Sequence, residues 1–267
     1  PIFAEAEAVD LGKIIDVFFE IYPANKKRKI YLFFDEIQNI EGWEIFIRHL
    51  IDSQNCQIFL TGSSSKLLSS EIATSLRGRT INHLMLPFSF RELLSLKSLE
   101  YKKYLSSEID AKIANQFKQY LHNGGYPEIL FYPAEKEKIL NEIIEVTIAR
   151  DIIERHKIRN TKVVKLMLNQ LVRAKEFSVH QFFNYLKSLN IKVSKNSLYN
   201  YLSFFQDSFV IYPLRKFSYL LKDVEQSLPK IYVVDNALIE NISGQEIGKK
   251  LENIVCLELV RRNLALN

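Results

Sequence analysis

The sequence is short of almost everything that would set it apart from an ordinary folded domain. It has 2 cysteines, 2 methionines, 1 tryptophan, 7 prolines and 8 glycines in 267 residues. Cys56 and Cys256 stand far apart with no metal-ligand spacing, so neither a zinc module nor a disulfide framework is expected. They read as two buried free thiols of a cytoplasmic protein. The longest apolar runs, such as residues 30–34, are far too short to span a bilayer, which excludes a membrane partner from the reading. The opening residues lack a basic stretch followed by a long apolar one, so no signal peptide is expected. A start at Pro1 rather than Met suggests a segment boundary. No internal repeat or low-complexity tract occurs.

What is present fits a soluble chain of one large or two moderate domains. Hydrophobic residues make up 47% and charged residues 25%. The net charge is +5, but it is unevenly spread. Residues 150–222 hold 14 Lys+Arg against 4 Asp+Glu, a net of +10, and the remainder carries 22 against 27, a net of −5. A basic block in an otherwise acidic chain points to a polyanion partner, with a merely solvated surface as the alternative.

Periodicity outlines an α/β fold. Residues 9–21 carry Val9, Ile14, Val17, Phe18 and Ile21 on one helical face, and a basic loop follows at 25–29. Residues 30–34 form an unbroken apolar run bounded by charge, expected to be a buried parallel strand. Residues 43–51 read as a helix and residues 57–60 as a second short strand. Strands alternating with helices predict a parallel sheet. From Arg91 the pattern turns helical. Gly124-Gly125-Tyr126-Pro127 is a strong breaker taken as a boundary, and residues 136–156 read as one long helix.

Two strand ends carry the chemistry. The first ends in Asp35-Glu36, and ligands of parallel α/β sheets sit at the carboxyl ends of the strands. One acid there can hold Mg²⁺ through water and the next can orient or deprotonate an attacking water. The alternative is a solvated strand-to-loop junction. The second strand ends in Thr61-Gly62-Ser63-Ser64, whose hydroxyls can bond a water or a phosphate. Arg77 and Arg79 supply guanidiniums of the kind that stabilise charge on a transferred phosphoryl group.

The run from Tyr31 to Ile40, with Gly42-Trp43-Glu44, resembles the Walker B region of a prokaryotic, often archaeal, AAA ATPase family whose C-terminal part is a domain of unknown function. Phe59–Leu68 resembles its sensor strand. Leu76–Arg79 and Leu86–Glu92 resemble the segments that follow, and Gly124–Glu128 resembles the start of its helical lid. The resemblance covers nearly the whole chain. It implies a partial P-loop NTPase-type parallel sheet (residues 1–90), a helical lid (91–160), a winged-helix domain (161–235) and the start of a truncated nuclease-like α/β domain (236–267). It also implies ATP and Mg²⁺ as ligands, Asp35 on the metal, Glu36 activating water, Thr61 or Ser63 as sensor, and Arg79, or else Arg77, reaching a neighbour's nucleotide in a homo-oligomer.

The phosphate-binding loop G-x-x-x-x-G-K-[ST] does not occur in the sequence. Only Gly12 precedes Asp35, and the run from Gly244 to Lys250 has the wrong spacing and Lys where Ser or Thr is needed. The expectation is therefore an ATPase in full length, inactive as this chain, with a non-catalytic DNA-binding or protein-interaction protein on the same scaffold as the alternative.

The basic block reads as helix-turn-helix. Ser178-Val179-His180-Gln181 fits a capping box, Phe182, Phe183, Leu186 and Leu189 follow at helical spacing, and Ser194 caps a second helix. The β-rich runs at 209–212 and 230–234 are expected to form a wing. Lys195, Asn196 and Asn200 would then face DNA, with Arg215 and Lys216 on the wing. The alternative is a winged helix used for protein contacts. Residues 251–262 form an amphipathic helix resembling the opening of the family's nuclease-like domain, in which Glu252 would belong to a metal site. No nuclease activity is expected of this chain.

Overall fold

A computed structural model describes residues 8–63, 76, 78–102, 104, 106–244 and 246–262. The chain is mixed α/β, mostly helical, and divides into two compact units, residues 1–84 and 85–267.

The first unit runs helix α1 (Ala8–Ile21), a 3₁₀ turn (Pro23–Lys27), strand β1 (Ile30–Phe34), a second 3₁₀ turn (Ile37–Asn39), helix α2 (Trp43–Ser53) and strand β2 (Cys56–Leu60). The residues expected to form a basic loop thus overlap a 3₁₀ turn begun by Pro23, whose fixed φ suits that position. α2 forms because Trp43, Phe46, Ile47 and Leu50 recur at helical spacing, and all four are buried. Glu44 lies in its first turn, where the helix dipole favours an acid. β1 and β2 pair in parallel, Ile30 opposite Cys56 through Phe34 opposite Leu60.

Ile15, Phe19, Ile37, Trp43, Ile47 and Leu50 form the core, with the inward side chains of both strands packed on it. The expectation of a fully buried strand needs correction, because burial alternates along β1. Tyr31 and Phe33 are 59% and 75% exposed, and Phe33 stacks on Phe59 with ring centroids 4.9 Å apart. An apolar run does not reveal whether one face or both will be covered.

The second unit contains, in order, α3 (Phe90–Leu96), α4 (Ser107–Asn123), α5 (Pro127–Phe131), α6 (Lys136–Val146), α7 (Thr161–Arg173), α8 (Val179–Ser188), α9 (Lys195–Asp207), β3 (Ile211–Leu214), α10 (Leu221–Gln226), β4 (Lys230–Val233), α11 (Asn236–Ser243) and α12 (Ile247–Arg261). Segments read from sequence as lid, basic module and third domain share one core here, from Ile129 and Leu140 through Val163, Leu171, Leu186 and Phe205 to Val233 and Ile239.

The helix expected at 136–156 is present, but Thr147–Glu154 is wound as a π-helix. Gly124-Gly125 breaks α4 from α5 inside this unit and is not a boundary between units, which falls between Leu84 and Met85. Gly124 has φ 69°, and a Cβ built on it would lie 1.6 Å from Asp235 Oδ1. Asp235 caps α11 by accepting the Ala237 N–H at 2.7 Å and also accepts the Gly125 N–H at 2.7 Å. Burial pushes its carboxyl up to about 6. Asn253 on α12 completes the lock: its Oδ1 accepts from Val233 N at 2.8 Å and its Nδ2 donates to Val233 O at 3.0 Å, as a neighbouring strand would.

Candidate functional site

The acids foreseen from sequence stand immediately after β1, and the hydroxyls immediately after β2. The parallel register that sets Phe34 opposite Leu60 brings the next residues of both strands together. Thr61 N–H donates to Phe34 O at 2.9 Å, and Thr61 Oγ1 donates to Asp35 Oδ1. Ser63 Oγ donates to Glu36 Oε2 at 3.2 Å. Glu36 has a left-handed backbone, φ 51°, which starts the 3₁₀ turn and sets Gln38 beside it. Gln38 Nε2 donates to Glu36 Oε2 at 2.5 Å. Gln38 Oε1 is buried with no protein partner, an acceptor available to a water or another donor at the site.

Two carboxylates, two hydroxyls and an amide thus meet at one end of a parallel pair. These oxygen donors suit a hard cation such as Mg²⁺, and Asp35 with Thr61 would hold it. The chain's own sequence has no glycine-rich cradle for phosphates, so the fit extends to the metal and water side of such a site only.

The arginines sort differently. Arg79 pairs with Asp52 at the end of α2, and both side chains are nearly half exposed. Arg77 lies outside the described residues, as do Ser64 and Ser65. Gln38 and Asp52 were given no role in the sequence reading. Their signal is weak, since an amide two residues beyond an acid and an acid at a helix end are both commonplace.

In the second unit both foreseen serine N-caps form, though of the capping box expected at Ser178 only the serine half is found among the described residues. Ser178 Oγ accepts from Gln181 N at 3.3 Å and Ser194 Oγ from Ser197 N at 3.0 Å. α8 and α9 follow them, joined by a turn in which Asn190 has φ 57°. Lys195, Asn196 and Asn200 are exposed on α9. Lys195 Nζ lies 2.9 Å from His180 Nδ1 and 5.3 Å from the Phe183 ring centroid, which ties it to α8.

β3 begins two residues later than expected because Phe209 is left-handed, φ 56°. β3 and β4 pair antiparallel, Ile211 opposite Val233 and Leu214 opposite Lys230. Their connection is longer than a simple hairpin and contains α10. Arg215 turns back onto this connection, donating to Val224 O at 3.2 Å and Glu225 O at 3.1 Å, whereas Lys216 is exposed.

Glu252 accepts from Lys230 Nζ at 2.7 Å and Tyr232 Oη at 2.8 Å, and these bonds hold its carboxyl below the usual range. No cluster of three or more His, Cys, Asp or Glu side chains fit for a metal occurs among the described residues. Among them, too, no helix is long and apolar enough to cross a membrane.

The chain is a mixed α/β protein, and its residues 3–94 match the model of an AAA domain, so this part is similar to an AAA-type scaffold. Residues 114–247, half of the chain, match a domain of unknown function, DUF8612, and the chain belongs to that family. The chain is 43% identical over 241 residues to the uncharacterized protein MJ1544 of Methanocaldococcus jannaschii, covering 88% of this chain and 54% of that protein. It is 30% identical over 272 residues to an uncharacterized protein of Haemophilus influenzae, covering 98% of this chain and 64% of that one. The chain therefore spans between half and two thirds of the length of these curated relatives.

Proposed function

We propose that this chain is the metal- and water-handling part of an AAA-type ATPase, coupled to a winged-helix module that binds DNA. The observation that carries the first half is the pairing of Asp35 with Thr61 and of Glu36 with Ser63 and Gln38 across neighbouring parallel strands. In this reading Asp35 holds Mg²⁺ through oxygen. Glu36 accepts the proton of the attacking water, fixed in aim by Gln38, and Thr61 or Ser63 senses the γ-phosphate. Bound Mg²⁺ would supply charge neutralisation on the phosphates. Arg79 must leave Asp52 to act as a finger toward a neighbouring subunit's nucleotide, and the exposure of that pair makes the exchange inexpensive.

The 267 residues alone are expected to give no micromolar Mg-ATP binding by titration calorimetry, because the phosphate cradle is missing from their sequence. Micromolar binding refutes that part. In a protein of the relatives' full length, Glu36→Gln is expected to lower kcat by about 10² to 10⁴-fold with KM little changed, the range of a lost general base. An unchanged kcat overturns the role given to Glu36.

The DNA half rests on two capped helices, exposed Lys195, Asn196 and Asn200, and a local net charge of +10 over residues 150–222. Duplex affinity is expected to fall steeply with salt and to weaken in Lys195→Ala plus Lys216→Ala. Absence of duplex binding at low salt overturns DNA as this module's partner and leaves protein contacts; the second reading of the whole is a non-catalytic DNA-binding or protein-interaction protein on an ATPase-like scaffold. The lack of a phosphate-binding motif within the sequence is the observation on that side.

A further inference from the structure

The connection between β3 and α10 presents two aromatic rings to solvent. Phe217 is 65% exposed and Tyr219 94% exposed. Their rings meet edge to face, centroids 5.1 Å apart and planes at 76°. Single exposed apolar side chains are ordinary, but an adjoining pair on one short loop is not.

The loop is braced beneath the rings. Arg215 anchors its start to the carbonyls of Val224 and Glu225 and pairs with the Glu225 carboxylate at 3.7 Å. Ser218, between the two rings, donates to Asp223 Oδ2 at 3.3 Å and accepts from Leu220 N at 3.2 Å. Both acids of the segment are thus engaged with the loop's own polar groups. Lys216 and Lys222, on either side of the rings in sequence, are exposed and make no ion pair among the described residues.

A braced pair of exposed rings flanked by free ammonium groups matches what an unpaired base and its phosphates require. Every base offers a flat face to an aromatic ring whatever its sequence, and the flanking cations replace counterions on the backbone. We propose that Phe217 and Tyr219 form a stacking platform for single-stranded nucleic acid, with Lys216 and Lys222 taking the flanking phosphates. The proposal rests on reading the second unit as a nucleic-acid binder and adds strands with unpaired bases to the duplex as its ligands. The charge favours a polyanion as the occupant, since the rings lie near the end of the segment carrying a net +10 and the acids that follow, Asp223 and Glu225, are engaged by Ser218 and Arg215.

The test is fluorescence anisotropy on the whole chain with labelled oligo-deoxythymidine and, separately, a duplex of the same length. Phe217→Ala plus Tyr219→Ala is expected to weaken single-strand binding by about 10- to 100-fold, the range of lost base stacking, and to leave duplex binding unchanged. Tyr219→Trp is expected to retain single-strand binding. Lys216→Ala plus Lys222→Ala is expected to flatten the salt dependence by about two phosphate contacts. Because the rings are exposed, the melting curve of the aromatic variant should match that of the parent, which excludes misfolding as the cause. Unchanged single-strand affinity in the aromatic variant, or an equal loss on duplex, overturns the platform. Duplex binding without oligo-deoxythymidine binding overturns it while leaving the DNA reading intact, and failure to bind either refutes both.

Discussion

Replacing Gly124 by alanine is the sharpest test of how the second unit is held together. Gly124 has φ 69° and ψ −159°, a region that residues with a Cβ essentially avoid. That strain costs about 1–3 kcal/mol. A Cβ there would also lie 1.6 Å from Asp235 Oδ1 and 2.5 Å from its Cγ. The carboxylate must move, yet it is held by the N–H groups of Gly125 and Ala237, each at 2.7 Å. Losing one such charged hydrogen bond costs about 1.5–3 kcal/mol. The total, about 2.5–6 kcal/mol, is a large part of the roughly 5–15 kcal/mol that keeps a domain folded.

Gly244 supplies the control, since its φ is similar at 74° but a Cβ there meets nothing within 4 Å. Gly244→Ala should therefore cost only the backbone strain, about 1–3 kcal/mol. Urea unfolding followed by far-UV circular dichroism reads the difference, because the described helices lie mostly in residues 85–267. A cycle with Asp235→Ala adds the decisive comparison. With the carboxylate gone, the added methyl has room, so the double variant should be less destabilised than the two single losses combined. The reasoning fails if Gly124→Ala is no worse than Gly244→Ala, or if the cycle is additive.

Two further perturbations follow from the same core. Asp235 is raised from 3.8 to about 6 in the folded chain, so folding takes up a proton between those values. Its contribution to stability is complete below pH 3.8 and is lost as pH rises through about 6, a decline of about 3 kcal/mol. Glu92, Glu240 and Glu252 are lowered and act with the opposite sign toward acid, so the parent curve minus that of Asp235→Asn isolates the Asp235 share; an unaltered slope in the variant refutes it. Phe205, with no exposed surface at the centre of the core, should cost about 3–5 kcal/mol on truncation to alanine by urea titration, and a loss below 1 kcal/mol would mean that the core collapses around it.

Local elements were legible in the sequence because their causes are local. The 43, 46, 47, 50 spacing made α2, and Ser178 and Ser194 announced the starts of α8 and α9 through their own side chains. Much of the candidate site was legible for the same reason: Asp35-Glu36 and Thr61 follow short apolar runs whose pairing needs only a parallel register. The remainder was not. Nothing near Arg79 in sequence indicates Asp52, and nothing near Arg215 indicates that it folds onto α10.

The amino-acid order by itself determined which segments become helix or strand, where the strand-end acids and hydroxyls fall, and where the positive charge collects. Only tertiary structure decided that one sheet face stays open at Phe33, that Gly125 meets Asp235 across 110 residues, and that Phe217 and Tyr219 stand in solvent. Helix and strand periods of 3.6 and 2 residues fix the side of an element on which a residue lies. They carry no information about what approaches that side, and contact through space between distant segments is set only when the chain has closed upon itself.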